Sequence, residues 1–316
     1  MVVYETRGWV GVHTMTRICV PVGCRSDEGL SAPVIKRLRE HFEVDVIQLH
    51  PQKFLESYAT TEVYFQINGN PDLILITGDR VEMCAAAAAA FHSKVKIAHF
   101  YAGVINDPIT TFDDIDRHCI TLWSDIQFCE SKDAEGTIYF DAWNNGGLFG
   151  AINKSPNSHV VGISHLDDLE IDESRVPRYW NDANKKWWYD LILYNTPPCI
   201  SKTQVKDEIT EILKATGGSD NYKVLLSNNP DGNESQILSS KMDLTLENLP
   251  RPQFLGLLKN CQRFITNSSA AIYEAPHFLK PEQIVMVGDR NKNRPRGPFE
   301  SGASDKIVAI LREWLK

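Results

Sequence analysis

From Ile18 onward, short β-branched and fully apolar runs alternate with longer stretches whose apolar residues recur at helical spacing. That alternation is the pattern of a parallel sheet with crossover helices. Ile18–Gly23 reads as a first strand, and Ala32–Phe42, with Val34, Ile35, Leu38 and Phe42 spaced along one face, as its helix. Val44–Leu49 follows as the second strand. Leu73–Thr77 has the unbroken apolar character of a strand buried on both faces, and the helix after it runs through six alanines, Ala85–Ala90, thin enough to sit close to a sheet. Val95–Tyr101, Asp114–Trp123 and Ile126–Cys129 continue as strand, helix and strand.

The rhythm breaks between about Asp167 and Lys186, where acidic residues, Pro177 and tryptophans intervene, and this predicts a domain boundary. It restarts with a strand over Leu191–Tyr194, a helix over Lys202–Lys214 closed by Gly217-Gly218, and a strand over Val224–Leu226. Arg251–Asn260 reads as a helix, Arg263–Thr266 as a strand, Ser268–Pro276 as a short helix, Ile284–Val287 as a strand and Asp305–Leu315 as a closing helix. The expected organisation is an extension over 1–14, a first domain over 15–170, a linker over 171–186 and a second domain over 187–316, its last helix packing back on the first. There is no internal repeat.

Length and charge narrow the class. At 316 residues the chain has room for two domains, and 33 basic against 41 acidic residues give a net charge of −8, which disfavours nucleic acid as the main partner. No window reaches the roughly 18 apolar residues of a membrane span, and Glu5, Gly8, Gly11 and His13 interrupt any signal-peptide core, so a cytoplasmic protein is expected. The seven cysteines form no C-x-x-C pair and read as reduced, mostly buried thiols. No metal-ligand spacing, G-x-G-x-x-G or G-x-x-x-x-G-K is present, which removes support for zinc, nicotinamide and P-loop chemistry.

Open α/β sheets bind ligands at the carboxyl ends of their strands, so the turns there carry the candidates. Asn267-Ser268-Ser269 opens a helix with small residues and two hydroxyls, which suits a diphosphate or, more plainly, an N-cap. Glu274 on the same helix could accept from two ribose hydroxyls or be a solvated carboxylate. Arg25, after the first strand, could clamp a diphosphate or pair with Asp27 or Glu28. Asp79 stands at the end of the buried central strand, where a carboxylate is costly unless paired with Arg80 or used. Asp113-Asp114 with Arg117-His118 supplies carboxylates, a cation and a base on one helix, or simply complements that helix's dipole. The loop from Gly288 through Arg290 and Arg294 to Arg296 is basic and fits anion binding, closure over a ligand or solvation; Trp180, Trp187 and Trp188 read as hinge packing or a sugar-stacking surface.

Five blocks, in order, resemble the UDP-N-acetylglucosamine 2-epimerase family, its hydrolysing branch more than the non-hydrolysing one. They are Gly23-Cys24-Arg25-Ser26-Asp27-Glu28-Gly29-Leu30; Pro71-Asp72-Leu73 through Gly78-Asp79-Arg80; Ile97-Ala98-His99 with Ala102-Gly103; Asp113-Asp114 with Arg117-His118-Cys119-Ile120-Thr121; and Asn267-Ser268-Ser269 to Glu274-Ala275-Pro276, continuing to Gly288–Arg294. They span most of 16–300, and only about 136–186 matches poorly.

The resemblance implies two doubly wound Rossmann-like domains facing across a cleft, the glycosyltransferase-B fold, with a UDP-sugar as substrate, no metal or redox cofactor and a homodimer. It implies that Arg25, Asn267, Ser268, Ser269, Arg290 and Arg294 meet the nucleotide sugar and that Glu274 meets the ribose. Asp79 and Asp113 match the carboxylates that take the proton from sugar C2 as UDP leaves C1, beside Arg117 and His118; water then adds and N-acetylmannosamine leaves. Two departures stand out. The family's glutamate after the fourth strand is Tyr101, with Val104 at the hydrolysing branch's next acidic position, and its histidine after the first strand of the second domain is Thr196. Tyr101 can serve as an acid, but Glu to Tyr moves the intrinsic pKa from about 4.3 to about 10. A glycosyltransferase on the same scaffold, with a glycan or even DNA as acceptor, and a non-catalytic nucleotide-sugar binder are the alternatives.

Overall fold

The computed structural model describes residues 15–23, 25–104, 112–143, 156–177, 180–181, 186–187, 189–194, 201–227, 238–247, 249–289, 291, 294, 296–297 and 299–316. These fall into two compact units: 15–104, 116–164 and 302–316 in the first, 112–115 and 165–301 in the second.

In the first unit, β1 (Arg17–Val22), β2 (Glu43–Gln48), β3 (Leu73–Thr77), β4 (Lys96–Phe100), β5 (Ile126–Cys129) and β6 (Ser158–Val160) form a parallel sheet in the order β2-β1-β3-β4-β5-β6. The helices are α1 (Arg25–Leu38), α2 (Phe54–Asn68), α3 (Val81–His92), α4 (Phe112–Trp123), whose residues 112–115 fall in the second unit, and α5 (Lys132–Trp143). β1, β3, β5 and most of β4 are buried, as their apolar runs require, and the alanines of α3 are buried among them. The strand order reverses between β1 and β3, and the crevice at such a switch point is where doubly wound sheets hold ligands.

In the second unit, β9 (Tyr189–Leu193), β10 (Tyr222–Ser227), β11 (Leu244–Glu247), β12 (Arg263–Thr266) and β13 (Ile284–Met286) are parallel in the order β11-β10-β9-β12-β13, with the switch between β9 and β12. Around them are α6 (Lys202–Gly217), α7 (Arg251–Asn260) and α8 (Ala270–Tyr273). A small hairpin, β7 (Trp180–Asn181) with β8 (Lys186–Trp187), sets Trp180 opposite Trp187. Residues 172–175, within the expected linker, pack on α7 through Asp172 N–H to Pro252 O at 3.0 Å and the Lys259–Glu173 pair. The closing helix α9 (Ala303–Trp314) belongs to the first unit, where Asp305 pairs with Arg37 of α1 at 2.6 Å.

Several elements differ from the sequence expectation. The first helix begins at Arg25, not Ala32: Pro33 suggests a helix start but stands inside α1. α2, α5, β6 and β11 were not expected at all. The short helix over 268–276 is two pieces, α8 and a 3-10 turn over Ala275–His277. No described helix is long and apolar enough to cross a membrane.

Candidate functional site

The first unit gathers its candidates at the carboxyl ends of β1, β3 and β4. Gly23 ends β1 where no side chain fits: a Cβ there would stand 2.6 Å from Glu82 Oε1. Glu82, fully buried at the start of α3, accepts from Arg80 Nε at 2.7 Å and from Gln52 N–H at 3.1 Å. Arg80 is thereby engaged by Glu82. Asp79 is bound by Arg117, which comes from α4 and donates through one terminal nitrogen to Asp79 Oδ2 and through the other to Tyr101 O at 2.7 Å. Arg117 is buried, and its Nε has no hydrogen-bond acceptor among the described residues.

Gly78, at φ +85°, turns the chain so that Asp79 leaves the sheet. His99 fixes this turn from β4: its Nε2 lies 2.8 Å from Gly78 O and its Nδ1 3.0 Å from Thr121 Oγ1. A carbonyl only accepts, so Nε2 carries the proton and Nδ1 accepts from the threonine hydroxyl. Burial drives the imidazole pKa down to about 3, so the ring is neutral. The sequence reading quoted His99 but gave it no role. Its signal was a histidine inside an otherwise apolar strand.

Tyr101 follows β4 with φ +66°, a left-handed conformation rare for such a residue. Its buried hydroxyl accepts from Ser164 N–H at 3.1 Å and lies 3.2 Å from Ser164 Oγ, which itself donates to Leu30 O at 2.8 Å. Ser164's proton being used, the tyrosine proton points to Ser164 Oγ. Val104 is buried in an apolar cluster with Ala102, Cys129 and Ala134. On α4, Asp113 and Asp114 occupy the first turn, Asp113 half-buried and Asp114 fully buried, with His118 half-buried one turn on.

The second unit builds its cluster around α8. Ser268 Oγ accepts from Ala270 N–H at 3.3 Å, so this serine caps the short helix, while Ser269 makes no side-chain cap bond. Asn267 turns away and donates to Glu208 Oε2 at 3.3 Å, and its carbonyl accepts from the buried Asn291 at 2.6 Å. Glu274 is buried and bound at Oε1 by Arg251 at 2.8 Å; Arg251 also donates to His165 O at 2.6 Å. Burial pushes the Glu274 carboxyl up, but the adjoining His165 ring and the Arg251 guanidinium with its hydrogen bond outweigh it and leave the pKa below its usual value. The His165 ring stacks on Tyr273 at 4.7 Å, and burial drives its pKa down to about 4.

Arg251 was missed in the sequence. Its signal was a cation opening a helix, against the dipole, just before Pro252 at a typical helix start. Arg294 is half-buried. The side chain of Arg25, and Arg290, Thr196 and Trp188 altogether, lie outside the described residues.

Two parallel α/β units, each with a switch in strand order, define a two-domain fold of the doubly wound type. A sequence model of the family described as UDP-N-acetylglucosamine 2-epimerase matches residues 58–313, and the chain belongs to that family. Among its relatives, the hydrolysing UDP-N,N'-diacetylbacillosamine 2-epimerase of Legionella pneumophila is 26% identical, over 82% of this chain and 68% of its own. The UDP-N-acetylglucosamine 2-epimerase of Neisseria meningitidis is 25% identical, over 90% of this chain and 82% of its own. The S. aureus MnaA-UDP co-structure superposes with a TM-score of 0.71 at 18% identity, covering 95% of this chain and 97% of that one. The Methanocaldococcus jannaschii UDP-GlcNAc 2-epimerase in complex with UDP-GlcNAc and UDP gives 0.71 at 17%, covering 94% and 100%. The fold is the two-domain glycosyltransferase-B fold.

Proposed function

We propose that the protein is a hydrolysing 2-epimerase of a UDP-sugar. The observation that carries this is Asp79: a carboxylate delivered by a glycine turn at the switch point and held by a buried arginine. In this reading Asp79 and Asp113 serve as base and acid. One takes the proton from sugar C2, the C2–H electrons form the C1–C2 double bond, and the C1–O bond breaks with its pair going to UDP. Water then adds, its oxygen to C1 and a proton to C2 from the opposite face, releasing the 2-epimer. Arg117 and His99 are positioning residues for Asp79, and His118 assists proton transfer.

Arg25, Asn267, Ser268, Ser269, Arg290 and Arg294 take the diphosphate side of the substrate, and donors there stabilise the leaving UDP without a metal or redox cofactor. Glu274 meets the ribose through the oxygen that Arg251 does not hold. The same reading carries a cytoplasmic homodimer. Support comes from the family and from relatives whose names include hydrolysing 2-epimerases.

The test is an NMR time course of UDP-N-acetylglucosamine in deuterated water. UDP and N-acetylmannosamine carrying deuterium at C2 are expected. Release of UDP without deuterium at C2 overturns the reading. A second reading, glycosyl transfer, is favoured by Tyr101, whose hydroxyl is tied to Ser164 where the family places a glutamate. It requires UDP release to be slow in water and to rise on adding an acceptor.

A further inference from the structure

The second unit contains a cavity of about 560 Å³ beside the edge strand β13, walled by Ala271 and Ile272 of α8, by Leu279, Ile284 and Met286, and by Arg296. Its volume is that of a small-molecule site. The lining is mainly apolar, with Arg296 and His277 as its basic side chains. Among the described residues, the Arg296 guanidinium donates to Met286 Sδ at 3.4 Å, and a thioether is a weak acceptor. A planar donor fork at the rim of an apolar cavity matches a carboxylate carried on an apolar body.

We propose that this cavity is a regulatory site for a small amphipathic carboxylate, its apolar body against Leu279 and Ile284 and its carboxylate on Arg296. The site is separate from the residues assigned to the nucleotide, but its walls lead to them. Ala271 and Ile272 belong to the helix capped by Ser268. Phe299, another wall, packs on Tyr273 at 5.1 Å, Tyr273 stacks on His165, and the His165 carbonyl holds Arg251. An occupant therefore bears on both ends of α8, and coupling to UDP must then run in both directions. The coupling, unlike the binding, rests on the proposed nucleotide site.

The probe is octanoate, with 1-octanol as the same body lacking the anion, each titrated calorimetrically into the full-length protein. One saturable octanoate site is expected. Arg296→Gln should weaken octanoate about tenfold, the loss of one charge-assisted contact, and leave octanol unchanged. Ile284→Trp should fill the cavity and abolish both, with circular dichroism confirming a folded variant. Saturating octanoate should shift the Kd for UDP by about threefold or more. Absence of octanoate binding, or binding indifferent to both variants, overturns the site. Binding with an unmoved UDP affinity overturns its regulatory role. A protein that takes octanoate but no UDP leaves the cavity standing and sinks the nucleotide reading instead.

Discussion

Each unit places a carboxylate against an arginine, but the two pairs are inverted. In the first, Arg117 is the buried partner at 5% exposure and Asp79 the open one at 17%. In the second, Glu274 is buried at 7% and Arg251 opens to 25%. A buried ion pair presents whichever member reaches the surface, its partner serving as anchor. The first unit therefore exposes an anion, suited to taking a proton, and the second exposes a cation beside the carboxylate proposed for the ribose. Behind each pair lies a neutral histidine, His99 through the Gly78 carbonyl and His165 through its own.

The largest test of this inversion exchanges the carboxylates for amides. Asp79→Asn should lower turnover of UDP-N-acetylglucosamine about 10²–10⁴-fold, the usual worth of general acid–base catalysis, while the Kd for UDP stays within about threefold. Glu274→Gln should do the reverse, weakening UDP with little change in kcat. Parallel kcat and Kd titrations separate the two, and equal effects on both quantities would dissolve the contrast.

Next is the open cation. Arg251→Met keeps the aliphatic stem and removes the charge, and the UDP Kd should rise about 10–100-fold, the worth of a charge-assisted hydrogen bond. Calorimetry with UDP alone reads it. An unchanged Kd would make Arg251 only the anchor of Glu274, and the second unit would then resemble the first.

The inversion was not legible in the sequence, although much of the fold was. Ile126–Cys129, Arg251–Asn260 and Arg263–Thr266 were read to the residue, because apolar runs bounded by polar turns, or a proline near the helix start, fix such elements locally. α2 escaped because its apolar residues do not share a face: Leu55, Val63 and Ile67 are exposed while Ser57 and Thr61 are buried. β11 escaped because its four residues carry too little pattern. Asp79, Arg117, Ser268 and Glu274 were singled out from their places after strands and on helices. Their partners were not, since Asp79–Arg117 spans 38 positions and Arg251–Glu274 spans 23, and only the packed sheet brings them together.

The histidines allow a pH test of both anchors. His99 and His165 have folded pKa values lowered to about 3 and about 4 from an ordinary 6.5. The unfolded chain therefore binds more protons between those values and 6.5, and stability rises with pH across that window. It should be complete above about pH 6.5 and fall on acidification, each histidine contributing at most about 1.4 kcal/mol per pH unit. His99→Gln should remove one histidine's share of the slope and leave the other. Denaturant titrations from pH 4 to 7.5 measure this, and an undiminished slope would mean that His99 is not held neutral.

The smallest effect concerns Tyr101, where the first unit departs from its family. If the tyrosine is a post that sets the backbone carbonyl gripped by Arg117, its ring and left-handed backbone matter more than its proton. Tyr101→Phe keeps both and removes the hydroxyl. Ser164 N–H loses its acceptor and Ser164 Oγ the donor facing it, at a cost of about 1–3 kcal/mol in unfolding free energy. Turnover should change by no more than about threefold, because Arg117 still holds Asp79. Tyr101→Gly would relax the backbone but release the ring from Phe100, and Asp79 should then be poorly held and turnover fall further than in Tyr101→Phe. A loss of about 100-fold or more in Tyr101→Phe at normal stability would make the hydroxyl a proton donor to substrate, and the first unit would then work with an acid of a different kind from its relatives.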